Sequence, residues 1–149
     1  MLIGEILIKQ GSIQKYQLDY ALELQRKEIN KKLGQLLMET ELIDKGSLVN
    51  ALAEQQATPG IDIINTEIEN YALQTLTVQQ AYKYNVLPFK FVRYRSGSIL
   101  YIATSKPNDL TLIEDISFIT RKPIKAFYAL DTDIKTAITI SYNKSRKIS

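Results

Sequence analysis

Apolar residues recur at helical spacing through the opening stretch of the chain, MLIGEILIKQGSIQKYQLDYALELQ. Ile3, Ile6 and Leu7 fall on one face of a short helix, and Gly11 is a residue at which such a helix stops. A longer helix is marked by four residues at spacing i, i+3, i+4, i+7: Leu18, Ala21, Leu22 and Gln25. The stretch therefore predicts a short helix, a break and a longer helix.

The same pattern begins again thirty residues later, as KKLGQLLMETELIDKGSLVNALAEQ. At that offset, eight of twenty-four aligned positions are identical: Gly4/Gly34, Leu7/Leu37, Ile13/Ile43, Lys15/Lys45, Leu18/Leu48, Ala21/Ala51, Leu22/Leu52 and Gln25/Gln55. Chance would supply about one or two identities, so the duplication is real. Asp44 is suited to cap the longer helix of the second copy. The pattern predicts a four-helix bundle of two helix-turn-helix repeats.

Some positions of the repeat fit a simple core less well than others. Gly4 and Gly34 stand near the starts of short helices, where glycine is costly unless the backbone approaches something closely. Gln25 and Gln55 end apolar stripes at matching positions, and a duplicated site suits a target that is itself two-fold. The leucines of the stripes fit a packed core, which is the simpler interpretation: Leu18, Leu22, Leu48 and Leu52. Both interpretations stay open from the pattern alone.

The second half changes from helical to strand-like periodicity across the sequence ATPG. Residues 86–94 alternate, Ser96 and Gly97 turn the chain, and residues 99–104 return, which predicts a β-hairpin. Ahead of it, TPGIDI predicts a turn into a short strand, and residues 76–84 predict a helix.

The rest of the chain predicts a helix, a third strand and a last helix. The segment KPND at 106–109 starts a helix over residues 110–120. KPIKAFYAL predicts the strand, and Asp131 or Thr132 begins a helix that runs to about Tyr142.

These elements predict an α+β fold class in two parts. A duplicated helical subdomain occupies residues 1–56, and a small α/β subdomain with the β-hairpin occupies residues 57–143. The ending NKSRKIS is predicted to be a basic tail over residues 144–149.

Composition excludes several classes of site. The chain has 149 residues, 45% of them hydrophobic, and a net charge of +3, which does not compel nucleic-acid binding. It has no cysteine and no histidine, so thiol chemistry, the commonest general base and the commonest neutral metal ligand are missing. The sequence has no Gly-x-x-x-x-Gly-Lys-Ser/Thr phosphate loop. We assign no catalytic residue, no metal ligand and no resident cofactor, and we expect no enzymatic activity.

Location and surface chemistry follow from local features. No apolar run approaches the ~20 residues that span a bilayer, so we expect a cytoplasmic protein without direct membrane insertion. Arg93 and Arg95 flank Tyr94 on the hairpin, a combination that also occurs on nucleic-acid-binding surfaces. The interpretation we favour is that alternate residues face solvent beside a buried Phe91, Tyr94 or Tyr101, without nucleic acid as a partner.

The duplicated motif consists of matching residues in the two copies. The first copy supplies Leu2, Ile3, Gly4, Leu7, Ile8, Gly11, Ile13, Leu18, Leu22 and Gln25. The second supplies Lys32, Leu33, Gly34, Leu37, Met38, Leu42, Ile43, Leu48, Leu52 and Gln55. This pattern resembles the N-terminal domain of type II secretion and type IV pilus assembly ATPases, whose MshEN type binds cyclic di-GMP with such a pair of motifs. The resemblance implies a candidate ligand site in which each copy wraps one guanylate half.

The chain departs from the family pattern at three positions. Leu2 stands where the first copy has arginine, Lys32 where the second has it, and Glu41 where the second copy has its later glycine. The motor that follows this domain in the family is not in the sequence. The resemblance implies docking or regulation through a secretion or pilus machinery protein, or a regulator of one. The alternative that it implies is a cyclic di-GMP receptor.

Overall fold

The computed structural model describes residues 1–28 and 30–148, with side chains described as far as Lys144. Contacts divide the chain into two compact units, Met1–Ala57, which we call the helical unit, and Thr58–Ser149, the α/β unit. The described residues form α-helices and a three-stranded sheet, which confirms the predicted α+β class.

The helical unit contains four helices in two short-long pairs. They are α1 (Ile3–Lys9), α2 (Lys15–Lys27), α3 (Leu33–Glu39) and α4 (Lys45–Gln55). The packing crosses between the copies, because α1 packs on α4 and α2 packs on α3, while α3 also contacts α4. The leucines that the offset aligns, Leu7 and Leu37, are both fully buried.

Asp44 caps α4, as its position in the sequence predicts. Its side chain accepts a hydrogen bond of 2.7 Å from the backbone N–H of Ser47. This bond holds the pKa of Asp44 below its ordinary value. The contribution of the ionised cap is therefore present above the ordinary pKa and is lost as the pH falls through the lowered one.

The α/β unit is built on a sheet in the order β1-β2-β3. The strands are β1 (Val86–Tyr94), β2 (Gly97–Thr104) and β3 (Ile124–Tyr128); β1 and β2 pair antiparallel and β2 and β3 pair parallel. The pairing of β1 with β2 confirms the predicted hairpin. β2 begins at Gly97, two residues before the predicted start at 99. Gly97, at φ +129°, already pairs with Tyr94.

Helices cover both faces of this sheet. They are α5 (Asn70–Leu73), α6 (Val78–Tyr84), α7 (Leu110–Thr120) and α8 (Asp131–Ile148). On one face Ile138 of α8 shares a buried cluster with Leu87. On the other face Ile116 of α7 shares a second cluster with Leu100 and Ile102.

The prediction of a short strand over TPGIDI is wrong, because this segment forms a single β-bridge and no strand. Gly60 bridges to Tyr128, and the chain then turns into a 3-10 helix over Ile63–Asn65. The turn is held locally, because the Asp62 carboxylate accepts from the Asn65 side chain at 2.7 Å. Pro59 has no N–H to donate, which further limits pairing on this segment.

The last helix is longer than predicted. It continues past Tyr142 to Ile148, so the predicted tail is helical that far. The sequence there contains no glycine or proline to stop a helix, and basic residues are favourable near a helix C-terminus. The side chains of residues 145–149 of the predicted tail lie outside the described residues.

Candidate functional site

The two glycines that the repeat aligns in the short helices, Gly4 and Gly34, each make room for a leucine of the same copy. A Cβ atom built on Gly4 would lie 2.8 Å from Cδ1 of Leu18, and one on Gly34 would lie 2.7 Å from Cδ1 of Leu48. Both distances are shorter than side chains tolerate without a shift. The close approach predicted at these glycines therefore exists, and its partner is a side chain of the following helix.

The motif glutamines connect the two copies. The Gln25 side-chain amide donates to the carbonyl oxygen of Lys31 at 3.3 Å, and that of Gln55 donates to the carbonyl oxygen of Met1 at 3.2 Å. Met1 and Lys31 are equivalent at the offset of thirty, so the two hydrogen bonds are related by the repeat. The last motif residue of each copy is therefore hydrogen-bonded to the residue just before the other copy's motif.

These two hydrogen bonds bring residues of both copies together at each predicted motif start. The start of the second motif, at Lys32, lies beside Gln25 of the first copy, and the start of the first motif, at Leu2, lies beside Gln55 of the second. Any ligand half held at a motif start therefore meets residues from both copies. The offset of thirty shows in the sequence that Met1 and Lys31 are equivalent positions. It does not show that the glutamines contact them, so these contacts were not predictable.

The structure divides the predicted site residues by exposure. Buried residues form the interior of the unit: Gly4, Leu7, Ile13, Leu37, Ile43 and Leu48. Half-buried residues lie at its edge: Ile3, Ile8, Leu18, Gln25, Leu33, Gly34, Met38, Leu42 and Leu52. Exposed residues are those able to meet a ligand without rearrangement: Leu2, Gly11, Leu22, Lys32 and Gln55. Leu22 is 39% exposed, so the interpretation of its stripe as core is wrong at that position.

The turns after the short helices have the same geometry in both copies. Gly11 and Glu41 both have positive φ, at 76° and 60°. In each, the next residue donates back to the buried leucine of the short helix: Ser12 to Leu7 at 2.9 Å and Leu42 to Leu37 at 3.0 Å. This is the αL helix end for which glycine is the favoured residue, so Glu41 occupies it with some backbone strain.

Two of the departures from the family pattern lie at opposite ends of one helix. Lys32 precedes α3 and Glu41 follows it, and a helix of seven residues is about 10 Å long. Lys31 is occupied, because its ammonium lies 2.9 Å from Glu39 and 3.1 Å from Glu28, contacts that raise its pKa. Lys32 is exposed, and among the residues that the structure describes it forms no ion pair.

Other chemistry is limited in the described part of the chain. Residues 1–28 and 30–148 contain no group of three or more acidic, histidine or cysteine side chains placed to hold a metal ion. Within the same residues, no helix is both long and apolar enough to cross a bilayer.

The chain is similar to known proteins in sequence and in fold. The MshEN domain matches residues 57–147. The type IV pilus assembly ATPase PilB of Myxococcus xanthus (strain DK1622) is 27% identical over 140 residues, which are 94% of this chain and 24% of that protein. The chain thus spans about a quarter of the length of this curated relative.

Two solved structures share the fold. A structure of MshE with cdg matches with a TM-score of 0.64 and 26% identity, covering 93% of this chain and 97% of that one. The N-terminal domain of XpsE matches with a TM-score of 0.51 and 21% identity over 92% of this chain and 91% of that one, which supports the fold alone. The match to MshE extends over both units, whereas the MshEN domain match begins at residue 57.

Proposed function

This chain belongs to the MshEN domain family, as an MshEN-type N-terminal domain of secretion and pilus assembly ATPases, and on that premise we propose that it is a non-enzymatic docking and regulatory domain. It acts through protein contacts in a secretion, pilus or motility system. In support, one structure that shares the fold is the N-terminal domain of XpsE, and the chain spans about a quarter of the pilus assembly ATPase PilB.

The observation that carries the docking proposal is the asymmetry of the two motif starts. The repeat makes them equivalent, yet one presents Lys32 and the other presents Leu2, which is 71% exposed. A symmetric dianion is held best by a cation at each start, whereas an exposed leucine is able to make an apolar contact with a protein. Absence of histidine, cysteine and a phosphate loop from the sequence supports a role without catalysis.

Competition in cells tests this proposal. Overproduction of the chain in cells that depend on such a machine is expected to lower secretion or pilus assembly, because the chain occupies the docking site of the full-length ATPase. The measurement is the amount of secreted substrate or surface pilin at matched growth. A matched control is the same chain carrying Gly34→Val, which we expect to destabilise the helical unit and so to weaken the competition. Unchanged output at an excess of folded wild-type chain would contradict docking.

The second candidate function is a receptor for cyclic di-GMP. We take cdg, the ligand of the MshE structure, to be that dinucleotide. It is supported by the 26% identity to MshE, solved with cdg, and by the related hydrogen bonds of Gln25 and Gln55. Two equivalent starts, each bordered by the other copy, suit a ligand with two equal halves. In this candidate Lys32 is the cation available to the ligand, and Leu2 leaves the other half without one.

A further inference from the structure

An open groove of about 900 Å³ lies beside β1 in the α/β unit. We call it the Tyr71 groove, and its main lining residues are Glu69, Tyr71, Phe91, Arg93, Ser98 and Lys122. Tyr71 is 79% exposed, so most of its side chain is accessible to a partner. Its ring meets that of Phe91 edge-on, with centroids 6.5 Å apart.

The groove has a fixed wall. The Glu69 N–H donates to the Phe89 carbonyl oxygen at 2.9 Å, and the Glu69 carboxylate accepts from the Phe91 N–H at 3.1 Å. Glu69 therefore occupies backbone hydrogen-bonding groups of Phe89 and Phe91 on the edge strand. A carboxylate is thus already accommodated against β1.

Two cationic side chains, Arg93 and Lys122, line the groove. The Lys122 ammonium lies 5.9 Å from the centre of the Phe91 ring, and Arg93 is exposed on the same strand as Phe91. Among the described residues, neither Arg93 nor Lys122 forms an ion pair. The groove therefore combines two unpaired cations with two aromatic rings.

We propose that the Tyr71 groove binds a linear acidic segment of a partner protein that also carries an aromatic side chain. Arginine pairs bidentately with carboxylates, and Tyr71 and Phe91 offer ring edges and faces to a third aromatic group. Nucleic acid fits less well, because it needs a run of cations along its phosphates and this groove has two beside a carboxylate. The proposal rests on the proposed docking function and adds to it a second contact surface, in the α/β unit, with its partner chemistry.

Peptide binding to the full chain tests the proposal. The probe is a fluorescein-labelled octapeptide, EDFEDFED, followed by fluorescence polarisation, with the octapeptide KKFKKFKK as the opposite-charge probe. We expect the acidic peptide alone to bind, and Arg93→Glu with Lys122→Glu to weaken it about tenfold or more. Tyr71→Ser is expected to weaken it about threefold to tenfold. Lys125→Glu makes one such reversal of charge over Tyr101 and Phe127, on the other face of the sheet, and is compared with Lys122→Glu alone; it is expected to leave binding unchanged.

Several results would overturn the groove assignment. They are failure of the acidic peptide to bind at millimolar concentration, equal loss in the Lys125→Glu chain, and tighter binding of a dodecathymidylate oligonucleotide at the same residues. Thermal unfolding of each variant checks that its α/β unit is folded. Co-purification from cells separates the two proposals. If folded Arg93→Glu, Lys122→Glu chain recovers machine components as the wild type does, the groove assignment fails and docking stands. If the wild type recovers none, docking fails.

Discussion

Cyclic di-GMP is expected to bind about ten to one hundred times more tightly to the Leu2→Arg, Glu41→Gly chain than to the wild type, at about 1.4 kcal/mol per tenfold. Arginine at position 2 gives the first motif start a cation, as Lys32 already does at the second motif start. Glycine at position 41 removes a carboxylate and suits the positive φ of 60° found there. Isothermal titration calorimetry of the double variant and of each single variant measures the gain.

The control for this prediction adds the same charge outside the motif. Tyr16→Arg with Glu23→Gln raises the net charge of the helical unit by the same two units on the exposed face of α2. A ligand that responds only to net charge would gain equally from both variants. Lys32→Ala is expected to weaken whatever binding the wild type has. Absence of binding to the restored chain at millimolar ligand would show that the pocket is lost and that the duplication is retained for structure.

Gly34→Val is expected to lower the free energy of unfolding of the helical unit by about 2 kcal/mol, within the range that overpacked cores lose. A Cβ at this position would lie 2.7 Å from Cδ1 of Leu48, whose side chain is buried and has little room to move. Chemical denaturation followed by circular dichroism measures the change. Loss of ligand binding in this variant would follow from unfolding alone, so it is not evidence of a contact between Gly34 and a ligand.

Two further variants isolate the contact between Gly34 and Leu48. Leu48→Ala removes the clashing group, so Gly34→Val with Leu48→Ala is expected to lose less stability than the sum of the two single changes. Gly46→Ala is the matched glycine control. A Cβ there meets only Asp44 Oδ1, at 3.6 Å, so this change is expected to raise stability through helix propensity. Full additivity of the first pair would show that Leu48 is not what Gly34 accommodates.

Local patterns in the sequence were sufficient for most elements but not for the contacts between them. The hairpin was predictable because alternation and a glycine turn are local signals, and so was the Asp44 cap. The partner of Gly34 was not predictable, since a glycine indicates close approach without saying what approaches. Leu48, within the same repeat, fills that space, and a ligand is not needed to explain it.

The candidate site was less predictable than the fold. The helical spacing favours a core position for Leu22, but its side chain is 39% exposed in the helical unit. The prediction of a buried Phe91, Tyr94 or Tyr101 on the hairpin is wrong: Phe91 and Tyr101 are half-buried, and Tyr94 is 48% exposed, with its hydroxyl 2.8 Å from that of Tyr101. Both depend on which elements pack together over long sequence separations, and residue spacing carries no information about that.

Quantitative co-purification tests the docking proposal most directly. The tagged chain is produced at native level in cells of its source organism, recovered under gentle conditions, and its partners are quantified by mass spectrometry against the tag alone. Docking predicts enrichment of components of one secretion, pilus or motility machine, and weaker enrichment when Gly34→Val destabilises the helical unit. Recovery of no such component, from cells in which the machine is assembled and the chain is folded, would contradict it.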